Sequence, residues 1–204
     1  MNFLKELKTI LSEKQFTDNL NKTLKNGGVI AFVTDTVWGL GCLPDSKKGA
    51  DRIYEIKGRD RSKPLILMSG EKENLFPFVK SIPDKAKELM ENYFPGALTL
   101  VLEKSDKTPD YITSGKNTVG IRVPDNMFFK ELCSCIGGGV LATTSANLSE
   151  HPSSKTYEQA KTSIGSLVDF VFEDYGYSAK GLESTVALIS DENIVVLRQG
   201  AVKI

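Results

Sequence analysis

The sequence predicts an α/β fold, a single domain spanning residues 1–204 with a mixed parallel and antiparallel sheet and helices packed about it. Three observations predict it. Seven or eight short apolar, β-branched runs recur along the chain, and about five stretches with helical spacing are interleaved with them. The last two apolar runs, "STVALI" and "NIVVLR", follow each other too closely for a crossover helix, so they pair as antiparallel neighbours.

Phe16, Leu20 and Leu24 recur at helical spacing, and Gly27 and Gly28 close that helix. "VIAFVT" is the first strand. It runs into "VTDTVWGLG" (residues 33–41), where Thr34, Asp35 and Thr36 precede a lone Trp38 and a glycine-flexed turn. That stretch is either an ordinary strand exit or a polar ledge at the carboxyl end of a strand, where open α/β sheets hold ligands. Ala50, Ile53, Tyr54 and Lys57 share one face of a helix. "PLILMS" is a short buried strand, and Pro83 suits the first turn of a helix through "DKAKELMENYF". "ALTLVLE", "TVGIRVP", "VLATTSA" and "DFVFE" are further strands, with helices near residues 126–136 and 156–167 between them.

The bulk composition excludes several classes. The chain is 40% hydrophobic and 25% charged, which suits a packed core. Lys and Arg number 26 against 26 Asp and Glu, so no global charge drives it to nucleic acid or an anionic membrane. No apolar run reaches the roughly 18 residues a membrane span needs. "MNFLKELKTI" lacks a signal peptide's apolar core, and three cysteines make no disulfide framework, so the expected location is cytoplasmic. There is no P-loop, no G-x-G-x-x-G behind a strand and no G-x-S-x-G elbow; the single histidine is His151. Cys42, Cys133 and Cys135 are read as partly buried thiols, with a zinc site formed with His151 as the alternative.

What remains is a set of basic and small polar groups at strand and helix ends. "KGRDRSKP" (57–64) holds four cations in seven residues, either a solvated face or a pinned polyphosphate site. Lys57 and Arg59 are read there as exposed side chains whose removal leaves the fold intact. In "TVGIRVP", Arg122 alternates to the face opposite Ile121 and Val123; it either faces water on an edge strand or is buried and needs an anion. "ATTSANLS" (142–149) offers hydroxyls and an amide as either a cap cluster or a ligand wall. Many anion contacts without an evident nucleophile or strong base suit attack of an anion on an activated phosphate.

Taken together, "GGVIAFVTDTVWGLGCLPDS", "IYEIKGRDRSKPLILM", "FPGALTLVLE", "VGIRVPDN", "LATTSANLSE", "ESTVALI" and "VLRQGAV" resemble the YrdC/TsaC family, the threonylcarbamoyl-AMP synthases. The motifs run in the family's order over about residues 15–202. The resemblance implies a twisted mixed sheet with a large, positively charged concave cavity, in the family's short single-domain form. It also implies an enzyme, an L-threonylcarbamoyladenylate synthase: L-threonine, bicarbonate or CO2 and ATP yield L-threonylcarbamoyl-AMP and pyrophosphate, for modification of an adenosine next to the tRNA anticodon. Partners then include a threonylcarbamoyl transferase complex, with weak tRNA contact compatible with synthesis and no membrane.

Carried over position by position, the resemblance makes Lys57 and Arg59 the catalytic basic pair. It sets Arg59, Lys63, Thr118, Ser145, Asn147, Ser153 and Arg198 toward ATP, and Thr36, Met68, Arg122, Thr143 and Ser184 toward threonine. Mg2+ is expected to arrive with ATP, without protein ligands. Val33, Trp38, "TTSAN", Glu150 and Gln199 depart from the family's usual residues, and none removes a charge the reaction needs. A nucleic-acid-binding module using the same basic residues is the competing reading.

Overall fold

The computed structural model describes residues 9, 11, 13–190 and 193–204. Among the described residues its α-helices of four residues or more are α1 (Lys14–Lys25), α2 (Lys47–Lys57), α3 (Asp84–Tyr93), α4 (Asp110–Thr113), α5 (Met127–Cys135) and α6 (Tyr157–Ile164), and a seven-residue 3-10 helix spans Lys72–Phe78. The strands are β1 (Ile30–Phe32), β2 (Gly39–Cys42), β3 (Ile66–Ser69), β4 (Leu98–Glu103), β5 (Thr118–Arg122), β6 (Val140–Ser145), β7 (Phe170–Val171), β8 (Thr185–Ile189) and β9 (Ile194–Arg198). They form one sheet in the order β7-β1-β2-β6-β3-β5-β4-β8-β9. β1/β7, β3/β5 and β4/β8 are parallel and the other five pairings antiparallel, including the β8/β9 hairpin. The mixed sheet expected from the sequence is present. No helix among the described residues is long and apolar enough to cross a membrane.

Local chemistry sets the ends of the helices. Leu20 and Leu24 of α1 are fully buried, and Gly27 follows with φ +89°, the left-handed turn that stops the helix. Ser46, Asn126 and Thr156 cap α2, α5 and α6 by accepting the backbone N–H three residues on.

One element departs from the sequence reading. The stretch after Trp38 is strand β2, not a glycine-flexed turn. It pairs antiparallel with β1, Phe32 opposite Gly39 and Ile30 opposite Gly41. A side chain at Gly39 would stand 2.7 Å from the Phe32 ring, and one at Gly41 2.9 Å from it. Those glycines supply room for an aromatic ring, so their presence carries no turn signal. Trp38 itself is fully buried, against the Tyr157 ring at 5.9 Å.

β5 shows how the sheet divides its two faces. Side chains alternate along a strand. Val119, Ile121 and Val123 therefore share the face opposite Gly120 and Arg122, and all three are buried in the core. Gly120 leaves space for Ile66, whose Cγ2 lies 2.8 Å from where a β-carbon would stand. Ile66, Met68, Thr99 and Arg122 thus gather on one face, and that face is the floor of the cavity described next.

Candidate functional site

A cavity of about 790 Å³ opens over the middle of the sheet. Its lining includes Ile66 and Met68 from β3, Arg122 from β5, Thr143, Thr144 and Ser145 from β6, and Val186, Leu197 and Arg198 from the β8/β9 hairpin. Thr34, Thr36 and Trp38 enter from the β1–β2 connection, and Arg59, Ser62 and Lys63 from the loop after α2. The polar ledge of the "VTDTVW" stretch therefore faces a cavity, but the cavity lies across the sheet's face and extends well beyond the strand ends.

Arg122 is 2% exposed, so the buried alternative holds. Nε donates to the Gly96 carbonyl at 2.9 Å, Nη1 to Thr36 Oγ1 at 2.8 Å and Nη2 to Asp35 Oδ1 at 2.5 Å. Asp35, 5% exposed, is the anion the buried charge requires, and it belongs to the chain itself. A guanidinium has five N–H groups, so two remain for a ligand.

The hydroxyls beside Arg122 are ordered by this arrangement. Thr34 Oγ1 donates to the Val37 carbonyl at 2.6 Å. Its one proton is then spent, and across the 3.1 Å contact between the two hydroxyls Thr36 is the donor. Thr36 accepts from Arg122 and donates to Thr34, which leaves it an acceptor toward the cavity. A ligand N–H or O–H suits that position.

Lys57 is the largest surprise. It is 3% exposed, and its ammonium donates to the Ser145 carbonyl at 2.6 Å, the Asn147 carbonyl at 2.5 Å and Asn147 Oδ1 at 3.1 Å. Three N–H donors meet three acceptors. Burial pushes its pKa down to about 7, with the Arg59 charge adding to the effect and Glu183 opposing it. Lys57 is absent from the cavity lining, and the expectation of an exposed side chain is corrected: it staples the end of β6 from behind. Asn147 is equally committed, its Nδ2 donating to the Leu148 and His151 carbonyls at 2.9 and 2.7 Å. The next cation points the other way because Gly58, at φ +57°, turns the chain through the left-handed region. Half-buried Arg59 then reaches the cavity, its Nε and Nη2 held by the Lys63 and Pro64 carbonyls at 3.1 Å each.

Of the residues singled out in the sequence, Thr36, Arg59, Lys63, Met68, Arg122, Thr143, Ser145, Ser184 and Arg198 line this one cavity. Lys57, Thr118, Asn147 and Ser153 do not. Thr118 shares the β5 face of Gly120 and Arg122 but stands beyond the lining, while Lys116, two residues earlier, belongs to it. Ser153 donates to Glu183 Oε1 at 2.7 Å. Thr143 donates to the Ile66 carbonyl at 3.3 Å. Ser184 Oγ lies 2.8 Å from buried Thr99 Oγ1, and Arg198 grips the Ser184 carbonyl through Nε and Nη2 at 3.2 and 2.9 Å.

Sequence reasoning placed Asp35 in the polar ledge but missed its pairing with Arg122, and it missed Thr99, Lys116 and Glu183 altogether. For Asp35 a signal existed, since a buried arginine calls for a carboxylate and Asp35 precedes Thr36 in a polar run behind a buried strand. Among the described residues, Glu183 is the only carboxylate lining the cavity, beside Arg59, Lys63, Lys116, Arg122 and Arg198. The cysteines are buried thiols at Cys42 and Cys133, both pushed up to about 12 by burial, with Cys135 half-buried. Among the described residues no group of three or more His, Cys, Asp or Glu forms a metal site.

A family model described as "Telomere recombination", covering Sua5, YciO and YrdC, matches residues 22–200. The chain is 37% identical over 180 residues to a threonylcarbamoyl-AMP synthase of Bacillus subtilis, covering 88% of this chain and 51% of that one. With a threonylcarbamoyl-AMP synthase of Thiobacillus denitrificans it shares 33% identity over 165 residues, 81% of this chain and 87% of the relative. Pyrococcus abyssi Sua5 complexed with L-threonine superposes with a TM-score of 0.84 at 32% identity, over 92% of this chain and 55% of that structure. The chain thus spans about half the length of the Bacillus and Pyrococcus proteins. A match through residues 22–200, on the same segments that wall the cavity, settles the kinship: the chain belongs to the Sua5/YciO/YrdC family.

Proposed function

We infer that this chain is a threonylcarbamoyl-AMP synthase, joining L-threonine, CO2 from bicarbonate, and ATP with release of pyrophosphate. The observation that carries the reading is one cavity holding two kinds of anion site. Arg122 offers two N–H groups beside the acceptor Thr36, a match for an amino acid's carboxylate and its N–H or O–H donors. Arg59, Lys63 and Arg198 offer cations for a triphosphate, and Ile66, Met68 and Val186 offer apolar surface for a methyl group.

Threonine's amine attacks CO2 and, on losing a proton, becomes a carbamate. A carbamate oxygen then forms a bond to the α-phosphorus while the bond from that phosphorus to the pyrophosphate oxygen breaks, and pyrophosphate leaves with the electron pair. The nucleophile is already an anion, so the chain's task is to align it and to stabilise charge on the α-phosphate and departing pyrophosphate. The half-buried Arg59, with its fork held by two carbonyls, suits that task. Lys57 acts one layer behind, holding the Ser145–Asn147 wall. A magnesium ion would arrive with ATP rather than on a protein site, which fits a lining whose one carboxylate among the described residues is Glu183. The product goes to a threonylcarbamoyl transferase complex acting on an adenosine next to the tRNA anticodon, in the cytoplasm.

The test is pyrophosphate release from ATP and bicarbonate, with and without L-threonine. Release is expected to need threonine and to fall about 10- to 100-fold with serine, whose missing methyl forfeits the apolar contacts. Release indifferent to threonine overturns the reading and sends the search to tRNA binding. Arg59→Ala is expected to cut turnover by about 10²-fold or more with little change in thermal stability, since its contacts are two partly exposed carbonyls. Near-normal turnover would remove Arg59 from the phosphate site.

A further inference from the structure

We propose that Glu183 is an internal rival to the substrate's phosphates, a carboxylate that holds Arg198 until a polyphosphate displaces it. The proposal rests on the reading that this cavity receives the triphosphate of ATP.

Glu183 is out of character with its surroundings, as the only carboxylate among the described residues of a lining otherwise rich in Lys and Arg. Its Oε2 forms an ion pair with Arg198 Nη1, and its Oε1 accepts from Ser153 at 2.7 Å. Arg198 spends Nε and Nη2 on the Ser184 carbonyl, so the edge toward Glu183 is the part of its fork that a ligand can compete for. The charge of Glu183 also reaches Lys57 and Arg59, where it partly opposes the burial that lowers the pKa of both. One carboxylate thus sits against the cations expected to take the phosphates.

Two features make it displaceable. The Glu183 and Arg198 side chains are 36% and 47% exposed, so water screens the pair and the cost of breaking it is small. The backbone beneath is fixed, with Ala201 N–H donating to the Glu183 carbonyl at 2.9 Å, so the carboxylate swings on its own side-chain torsions while the wall stays. A di- or triphosphate brings more charge and more acceptor oxygens than one carboxylate, and takes the Arg198 edge from it. The swing frees the Ser153 hydroxyl, while Ser154 stays anchored by its hydroxyl to the Ala146 carbonyl at 2.6 Å. On the return stroke the carboxylate reclaims Arg198 and helps expel pyrophosphate.

The experiment is calorimetric titration of the full chain with ATP and with inorganic pyrophosphate, each in EDTA and in Mg2+, for wild type, Glu183→Gln and Glu183→Ala. Both variants are expected to bind pyrophosphate and ATP about three- to tenfold tighter in both media, with pyrophosphate inhibition of turnover strengthened by the same factor. Having two variants guards against one failing to fold, which a thermal melt reports. Unchanged or weaker binding in EDTA overturns the proposal. Weakening confined to the Mg2+ arm also overturns it and makes Glu183 a contact to the nucleotide's metal. If wild type binds neither ATP nor pyrophosphate, the synthase reading falls and the proposal with it, an outcome distinct from a variant-only failure.

Discussion

Arg122→Ala is expected to destabilise the chain by about 3–5 kcal/mol, because it strands the Asp35 carboxylate, 5% exposed, without its partner. A typical domain holds about 5–15 kcal/mol in all, so the variant will have a sharply lowered urea midpoint, and part of it will be unfolded at 37 °C. Loss of threonine binding in that variant would therefore be uninterpretable alone. Two further variants separate fold from function. Asp35→Ala combined with Arg122→Ala removes both charges, and the double change is expected to cost less than the sum of the singles, a coupling of roughly 2–3 kcal/mol. Arg122→Lys keeps the charge but loses the fork that reaches Gly96, Thr36 and Asp35 together, and is expected to raise the KM for threonine at least about 10-fold more than that for ATP. A strictly additive double variant would show that the pair is not coupled. An unchanged threonine KM in Arg122→Lys would place the amino-acid carboxylate elsewhere.

Lys57→Met is expected to lower turnover by about 10²-fold while costing about 2–4 kcal/mol of stability. The unbranched stem stays, but the Asn147 carbonyl and Oδ1 lose their charged donor; the Ser145 carbonyl keeps the Asn147 N–H at 3.1 Å. The telling readout is amide hydrogen exchange over residues 145–151. Faster exchange there, with the far strands unchanged, fits a lysine that acts through the wall it holds. Lost turnover with native protection of that segment would make Lys57 a direct contact to the reacting groups and overturn its assignment as a positioning residue.

These two residues also mark how far the chain can be read without its structure. Arg122 was legible because of alternation: an arginine between Ile121 and Val123 in an apolar strand has to face away from them, and a buried cation demands an anion. The partner was harder to see, because Asp35 is 87 positions away and only the packing of the β1–β2 connection against β5 joins them. Lys57 was misread for a related reason. In "KGRDRSKP" it looks like one of four equivalent surface cations, yet the left-handed Gly58 splits the run, sending Lys57 under β6 and Arg59 into the cavity. Gly39 and Gly41 suggested a turn because a glycine that bends the chain and a glycine that admits Phe32 look alike in sequence. Glu183 carried no local signal at all; its meaning comes from the Arg198 and Ser153 that the fold brings to it.

By itself, then, the sequence determined the α/β class, the mixed sheet with its closing hairpin, the principal helices and the polar segments that gather around one site. The class, the sheet and the helices follow from periodicity and caps, which are local properties of the chain, whereas the gathering of the polar segments at one site was what the family resemblance implied. Only the tertiary structure decided which charges are buried and which are available: Arg122 neutralised by Asp35, Lys57 consumed behind the wall, Arg198 shared with Glu183. Burial and pairing depend on distances between segments far apart in sequence, and the energy of a charge depends on what surrounds it more than on what precedes it.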